Sequence, residues 1–166
     1  MSEGDAMKDL LARAERIGAL LKQRKETIAV AESSSGGLIA ASLLSVGGAS
    51  AYFLGGIVTY TRKSMQELVG LTEDSFKGMR GLTEPTALIL AKGARDRLGT
   101  TWGVSEIGAA GPTGSRYGDP AGTTAIAAVG PNGERALKVQ TGISDRVANM
   151  QAFAEAALKL LEESLK

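Results

Sequence analysis

Residues 27–38 read Thr-Ile-Ala-Val-Ala-Glu-Ser-Ser-Ser-Gly-Gly-Leu, and this stretch decides the fold. The short apolar run Ile28 to Ala31 predicts a buried strand that stops at Glu32. Three hydroxyls, Ser33, Ser34 and Ser35, and the pair Gly36-Gly37 follow, and helix-compatible residues resume at Leu38-Ile39-Ala40-Ala41. Strand, tight polar turn and helix in that order place the turn at the carboxyl end of a strand, where open α/β sheets hold their ligands. The same order aims backbone N–H groups and a helix N-terminus at whatever sits above the turn.

Upstream, Met7, Leu10, Leu11, Ala14, Ile17, Leu20 and Leu21 recur every three to four residues, which predicts an amphipathic helix over 6–23. Downstream, the helix after the serines ends near Ser45, Gly47-Gly48 breaks the chain, and Ala49 to Phe53 allows one more helical turn. Gly55 to Tyr60 predicts a second strand, 62–69 a short helix closed by Gly70, and 71–82 a loop with a helical turn at 73–79. Thr83 or Glu84 caps a helix with Pro85 in its first turn, ending before Gly99. Thr101 to Ile107 predicts a third strand. Residues 108–121 hold Gly108, Gly111, Pro112, Gly114, Gly118 and Pro120 and predict a long loop, of the kind that is usually functional. Thr123 to Val129 and Arg135 to Gln140 flank Pro131-Asn132-Gly133, a hairpin signal. A final helix over 145–165, capped by Ser144, closes the chain. The expected fold is a single-domain three-layer α/β/α sandwich over residues 1–166, with a mixed, mostly parallel sheet and one antiparallel hairpin.

Composition excludes much of the common chemistry. The 166 residues include no Cys and no His. That rules out Ser-His-Asp and Cys-His machinery and removes the usual zinc ligands, leaving oxygen ligands for a hard cation. A nucleophile must be Ser, Thr or Lys; a base must be Lys, Tyr, Asp, Glu or water. Net charge is +1, which gives no general field for nucleic acid. The acidic, amphipathic start is no signal peptide, and no apolar run reaches membrane-spanning length. The expectation is a cytoplasmic protein that binds neither nucleic acid nor membrane.

Four constellations carry the candidate chemistry. Glu32-Ser33-Ser34-Ser35-Gly36-Gly37 can present an oxygen nucleophile with N–H groups for an oxyanion or phosphate, although a Ser before a helix is also a structural cap. It is neither a lipase-type elbow nor a Walker A loop. Gly108-Ala109-Ala110-Gly111-Pro112-Thr113-Gly114 follows a strand and lets a ligand approach the backbone, or is an ordinary crossover. Thr59-Tyr60-Thr61-Arg62-Lys63 offers Tyr60 and Lys63 as proton carriers, against core packing for Tyr60 and a solvated charge for Lys63. Glu84-Pro85 needs no functional explanation; Arg116 and Asp119 read as ordinary solvated loop charges, with ligand contact as the minority reading.

Taken together, these stretches resemble the CinA C-terminal domain family (competence/damage-inducible protein CinA), also described as nicotinamide mononucleotide deamidases. The family pattern runs Glu-Ser-Cys-Thr-Gly-Gly, Val-Thr-Tyr, Ser-Glu-Pro, Gly-Ile-Ala-Gly-Pro. Here those places hold Glu32 to Gly37, Val58-Thr59-Tyr60, Thr83-Glu84-Pro85 and Gly108 to Pro112. The resemblance implies a stand-alone version of the domain and an amidohydrolase of pyridine-nucleotide salvage. Ser33 would attack the nicotinamide carboxamide, with Tyr60 beside it and N–H groups near Ser34 and Ser35 on the oxyanion; ammonia leaves and water releases nicotinic acid mononucleotide. No metal or organic cofactor is implied. The expected substrate-binding residues are Glu32, Ser34, Ser35, Gly36, Gly37, Thr59, Gly108, Ala110, Gly111, Pro112, Thr113 and Gly114, and the expected catalytic set is Ser33, Tyr60 and Lys63.

Two positions depart from the pattern. The family lysine, five residues after the tyrosine, is Met65 here, and Lys63 lies about 200° away on a helix. Arg146 matches one arginine at the start of the family's last helix, while Asn149 replaces the second. The alternatives are therefore a catalytically impaired nucleotide-binding or regulatory protein, and a different hydrolase on the same scaffold using Ser115 to Asp119. Small residues Ala40, Ala41 and Ser42 permit close packing, and a homodimer is expected.

Overall fold

The computed structural model describes residues 2–166. Helix α1 (Glu3–Arg24) leads into β1 (Ile28–Glu32), α2 (Leu38–Leu44), β2 (Phe53–Val58), α3 (Arg62–Val69) and α4 (Glu84–Leu98). Strands β3 (Trp102–Ala109), β4 (Thr123–Gly130) and β5 (Gly133–Gln140) and helix α5 (Arg146–Ser164) follow. Short 3₁₀ turns sit at Ala49–Ala51 and Glu73–Phe76.

The sheet order is β2-β1-β3-β4-β5. β1 runs parallel to β2 and to β3; β3 to β5 form an antiparallel meander. The chain reverses between β3 and β4 through the glycine loop rather than through a helix, so half of the strand pairings are antiparallel. The carboxyl ends of β1, β2 and β3 consequently share one edge, and the loops after all three meet there.

Period-2 alternation divides the core into two layers. Ile28 and Val30 of β1 face α1, α2 and α5, where they pack with Leu21, Leu43, Trp102 and Leu161. Ala29 and Ala31 face the other way, onto Leu90, Ala91 and Ala94 of α4 and Met65 of α3. Helix α4 lies close to that face beside Ala29: a Cβ on its neighbour Gly103 would meet the carbonyl oxygen of Ala91 at 2.1 Å.

Element bounds shift slightly from the sequence expectation. β2 starts at Phe53 and leaves Thr59 and Tyr60 beyond its end. The cap of α5 is Asp145, whose carboxylate accepts from the Ala148 amide at 2.8 Å, rather than Ser144. A side-chain oxygen at the residue directly before the helix reaches a free first-turn amide, and Ser144 lies one residue too early. No described helix is long and apolar enough to cross a membrane.

Candidate active site

The seryl turn is built around two buried carboxylates. Glu32 is fully buried, and its oxygens accept from the amides of Gly37 at 2.8 Å, Ile39 at 3.2 Å and Ala40 at 2.9 Å. It caps α2 from within the chain. The helix N-terminus that the sequence aims at a ligand is thus already filled by the protein's own anion. Gly36 and Gly37 have φ of +66° and +103°, which folds the turn back tightly enough for Glu32 to reach those amides.

Glu106, on β3, is the second carboxylate and is also fully buried. It accepts from the amides of Ser33 at 3.0 Å and Ser35 at 2.9 Å, and from the hydroxyls of Ser34 at 2.5 Å, Ser35 at 2.8 Å and Thr124 at 3.2 Å. The Ser35 hydroxyl lies 2.7 Å from Glu32 as well and bridges the two acids. Of the two amides expected at an oxyanion, the one on Ser35 is therefore engaged. Ser34 carries the single amide of residues 33–41 without a partner among the described residues.

A cleft of about 530 Å³ opens above this turn at the shared sheet edge. Ser33 and Ser34 line its floor. Tyr60 comes from the loop after β2, and Gly108, Ala110, Gly111, Thr113 and Gly114 come from β3 and the loop beyond it. The structure thus brings the three sequence constellations together at one place. The Ser33 hydroxyl has no hydrogen-bond partner among the described residues.

Other expected residues lie elsewhere. Glu32 and Ser35 are fully buried below the floor, and Thr59 is buried with its amide on the Glu32 carbonyl oxygen at 2.6 Å. Gly36 packs against Met150, Gly37 begins α2, and Pro112 faces solvent after a cis bond from Gly111. Lys63 is outside the cleft, its side chain 82% exposed and paired with Glu67 at 3.3 Å. Met65, two residues on, is 6% exposed and lines the cleft, as a 200° rotation along α3 requires.

The charged side chains that line the cleft share one sign, with Arg62 also paired to Glu73 at 3.4 Å. The charged lining residues are Arg62, Arg80, Arg116 and Arg146, with no lysine and no carboxylate. Arg146 spans the mouth, donating to the Gly111 carbonyl oxygen at 2.6 Å and to the Tyr60 hydroxyl at 3.2 Å. Arg62 stacks on the Phe76 ring, 4.3 Å from its centroid. Guanidinium groups converging on a partly enclosed space bind a phosphate in bidentate fashion and focus the field on an anion.

Two anchors fix the loop that carries the glycines. Asn149 is fully buried, donates to the carbonyl oxygens of Ala110 at 2.7 Å and Ile143 at 3.0 Å, and accepts from the Thr141 hydroxyl at 2.5 Å. Asp119 accepts from the Ser115 hydroxyl and from Lys138, each at 2.8 Å. The hydrogen bond from Lys138 holds the Asp119 carboxyl below the ordinary range.

Sequence reasoning overlooked Glu106 and Arg80, and it named Arg62 within the third constellation without giving it a role. A glutamate within Trp102–Ile107, a run otherwise free of charge, is the one signal that was available, because a buried carboxylate needs dedicated donors. The arginines reach the cleft from α3 and the loop before α4, and no local pattern announces that.

Fold and cleft together define an open α/β protein with a serine-floored, arginine-walled site at the carboxyl edge of its parallel strands. The chain belongs to the CinA C-terminal domain family, whose model matches residues 11–165. A CinA-like protein of Salinibacter ruber is 38% identical over 149 residues, covering 90% of this chain and 36% of that protein. One from Chloroherpeton thalassium is 38% identical over 154 residues, covering 91% and 37%. The chain therefore spans little more than a third of the length of these relatives. The crystal structure of the competence/damage inducible protein CihA from Agrobacterium tumefaciens superposes with a TM-score of 0.88 at 29% identity, covering 95% of this chain and 96% of that one. A CinA superfamily protein from Klebsiella pneumoniae shares the fold, with a TM-score of 0.87 at 22% identity and coverage of 94% and 97%.

Proposed function

We propose that this chain is an amidohydrolase acting on a pyridine nucleotide, with nicotinamide mononucleotide as its substrate. A hydroxyl of the seryl turn attacks the carboxamide carbon, ammonia leaves, and water releases nicotinic acid mononucleotide. Ser33 is the nucleophile that the family pattern implies, and Tyr60 stands beside it. The arginines take the phosphate, and the glycine backbone of 108–114 lets the nucleotide lie close to the sheet edge. The observation that carries this reading is a floor of serine hydroxyls beneath a cleft whose charges are all arginine. The reaction so drawn needs no metal or organic cofactor. The proposal includes a cytoplasmic protein that acts as a homodimer; the exposed apolar side chains of Leu54 and Val58 on the edge strand β2 support the second point.

The test is ammonia release from nicotinamide mononucleotide by the purified protein. The expected result is steady turnover that falls at least about 1,000-fold in the double variant S33A/S34A. Absence of turnover, or turnover equal in the two proteins, overturns the reading.

A second reading has its own support. Met65 occupies the cleft where the family pattern has lysine, and no lysine lines it. On that reading the chain is a nucleotide-binding or regulatory protein, and nicotinamide mononucleotide raises its melting temperature without turnover.

A further inference from the structure

A serine hydroxyl attacks an amide only when a base accepts its proton. The cleft lining offers no lysine, no carboxylate and, in a chain without histidine, no imidazole. Its two tyrosines do not hydrogen-bond to either serine, and the Tyr60 hydroxyl accepts instead from Arg146 at 3.2 Å. Its four guanidinium groups stay protonated and cannot serve. One base nevertheless touches a cleft hydroxyl from below. Glu106 lies just under the floor, with an oxygen 2.5 Å from the Ser34 Oγ, and Ser34 lines the cleft.

The carboxylate is held in place independently of that contact. The amides of Ser33 and Ser35 and the hydroxyls of Ser35 and Thr124 all donate to it. A nucleophile within hydrogen-bond reach of a base, with the base oriented by further groups, is the arrangement that activates a serine. Ser34 also keeps its own amide unpartnered, and the neighbouring Ser33 hydroxyl is free; both are donors available to an oxyanion formed on Ser34. Gly108 makes room for the arrangement, since a Cβ there would come within 2.8 Å of the Ser34 Oγ.

We propose that Ser34 and Glu106 form the nucleophile–base pair of this cleft, in place of a lysine-assisted Ser33; the proposal rests on the amidohydrolase reading. Ser34 Oγ bonds to the carboxamide carbon as its proton passes to Glu106. The carbon–nitrogen bond breaks, that proton goes to the nitrogen, and ammonia leaves. Water then bonds to the ester carbon and gives a proton to Glu106. Glu106 returns it to Ser34 Oγ as the ester bond breaks, and the carboxylic acid departs.

The test maps the adduct of a small alkyl fluorophosphonate on the intact protein by peptide mass spectrometry. The expected adduct is on Ser34, and it forms at least about 100-fold more slowly in E106Q, whose folding is followed by its melting transition. Should E106Q fail to fold, E106D serves: its shorter side chain withdraws the base from Ser34, and the rate again falls. An adduct on Ser33, an adduct on neither serine, or an unchanged rate in the folded Glu106 variant overturns the pair. Ammonia release from nicotinamide mononucleotide with the adduct on Ser33 removes the pair and leaves the activity. An adduct on Ser34 without ammonia release keeps the pair and removes the substrate.

Discussion

At the residue scale, the organising fact is that two fully buried glutamates hold one turn from opposite sides. Glu32 was visible in the sequence, but its role was not: a carboxylate next to three serines reads as a ligand contact, whereas here it satisfies three amides at the start of α2. Ser33 and Ser34 were legible because strand, turn and helix fix where a turn residue points. Glu106 was not, because its partners in the seryl turn lie more than seventy residues earlier in the chain. The tightness of this arrangement predicts the outcome of one small change. A Cβ at Gly108 would lie 2.8 Å from the Ser34 Oγ, 2.9 Å from the Phe153 ring and 2.9 Å from the Thr123 carbonyl oxygen. G108A is expected to lose about 1–3 kcal/mol of stability by chemical denaturation. Its ammonia release is expected to fall by more than the folded fraction accounts for, because the Ser34 side chain must move aside.

At the scale of elements, α5 ties the site to the rest of the protein. Its first turn supplies Arg146 to the cleft mouth, and Asn149 one turn later clasps the glycine loop. Asn149 stands where the family pattern suggested a second arginine, and its burial explains why it takes no part in the cleft surface. N149A leaves two loop carbonyls without a donor and is expected to cost about 1–3 kcal/mol, read from its melting transition. Its KM is expected to rise as residues 110–114 loosen. The far half of α5 carries a different load. Glu162 accepts from Arg16 at 2.7 Å and from Arg13, linking α1 to α5. The hydrogen bond from Arg16 is the main cause that holds the Glu162 carboxyl below its ordinary range. A carboxyl with a lowered folded-state pKa stabilises the protein above its unfolded-state value and loses that contribution as the pH falls through the folded-state value. Thermal melts across the acid range are expected to show stability falling more steeply in the wild type than in E162Q. Curves of equal slope would contradict this account of the clasp. Helix α1 was plain from its periodicity; the ion pairs were not, since charged residues on a helix face read as solvated until the partner helix is known.

At the scale of the molecule, function follows from which strand ends share an edge. β1, β2 and β3 are parallel, so the seryl turn, Tyr60 and the glycine loop converge, and alternation of elements along the chain was enough to foresee that. The arginine wall was not foreseeable, because Arg62 and Arg80 come from segments that show only ordinary surface composition. Four guanidinium groups line the cleft, one of them, Arg62, paired with Glu73 at 3.4 Å, and such a wall favours a ligand that brings negative charge. Both functional readings, turnover and binding alone, require a pyridine nucleotide to be held there by its phosphate. The most direct test is calorimetric binding of nicotinamide mononucleotide beside nicotinamide riboside, which lacks only the phosphate. The mononucleotide is expected to bind at least about tenfold more tightly, and R146A to remove most of that difference. Equal affinities for the two compounds, or a preference that R146A leaves intact, would contradict this expectation.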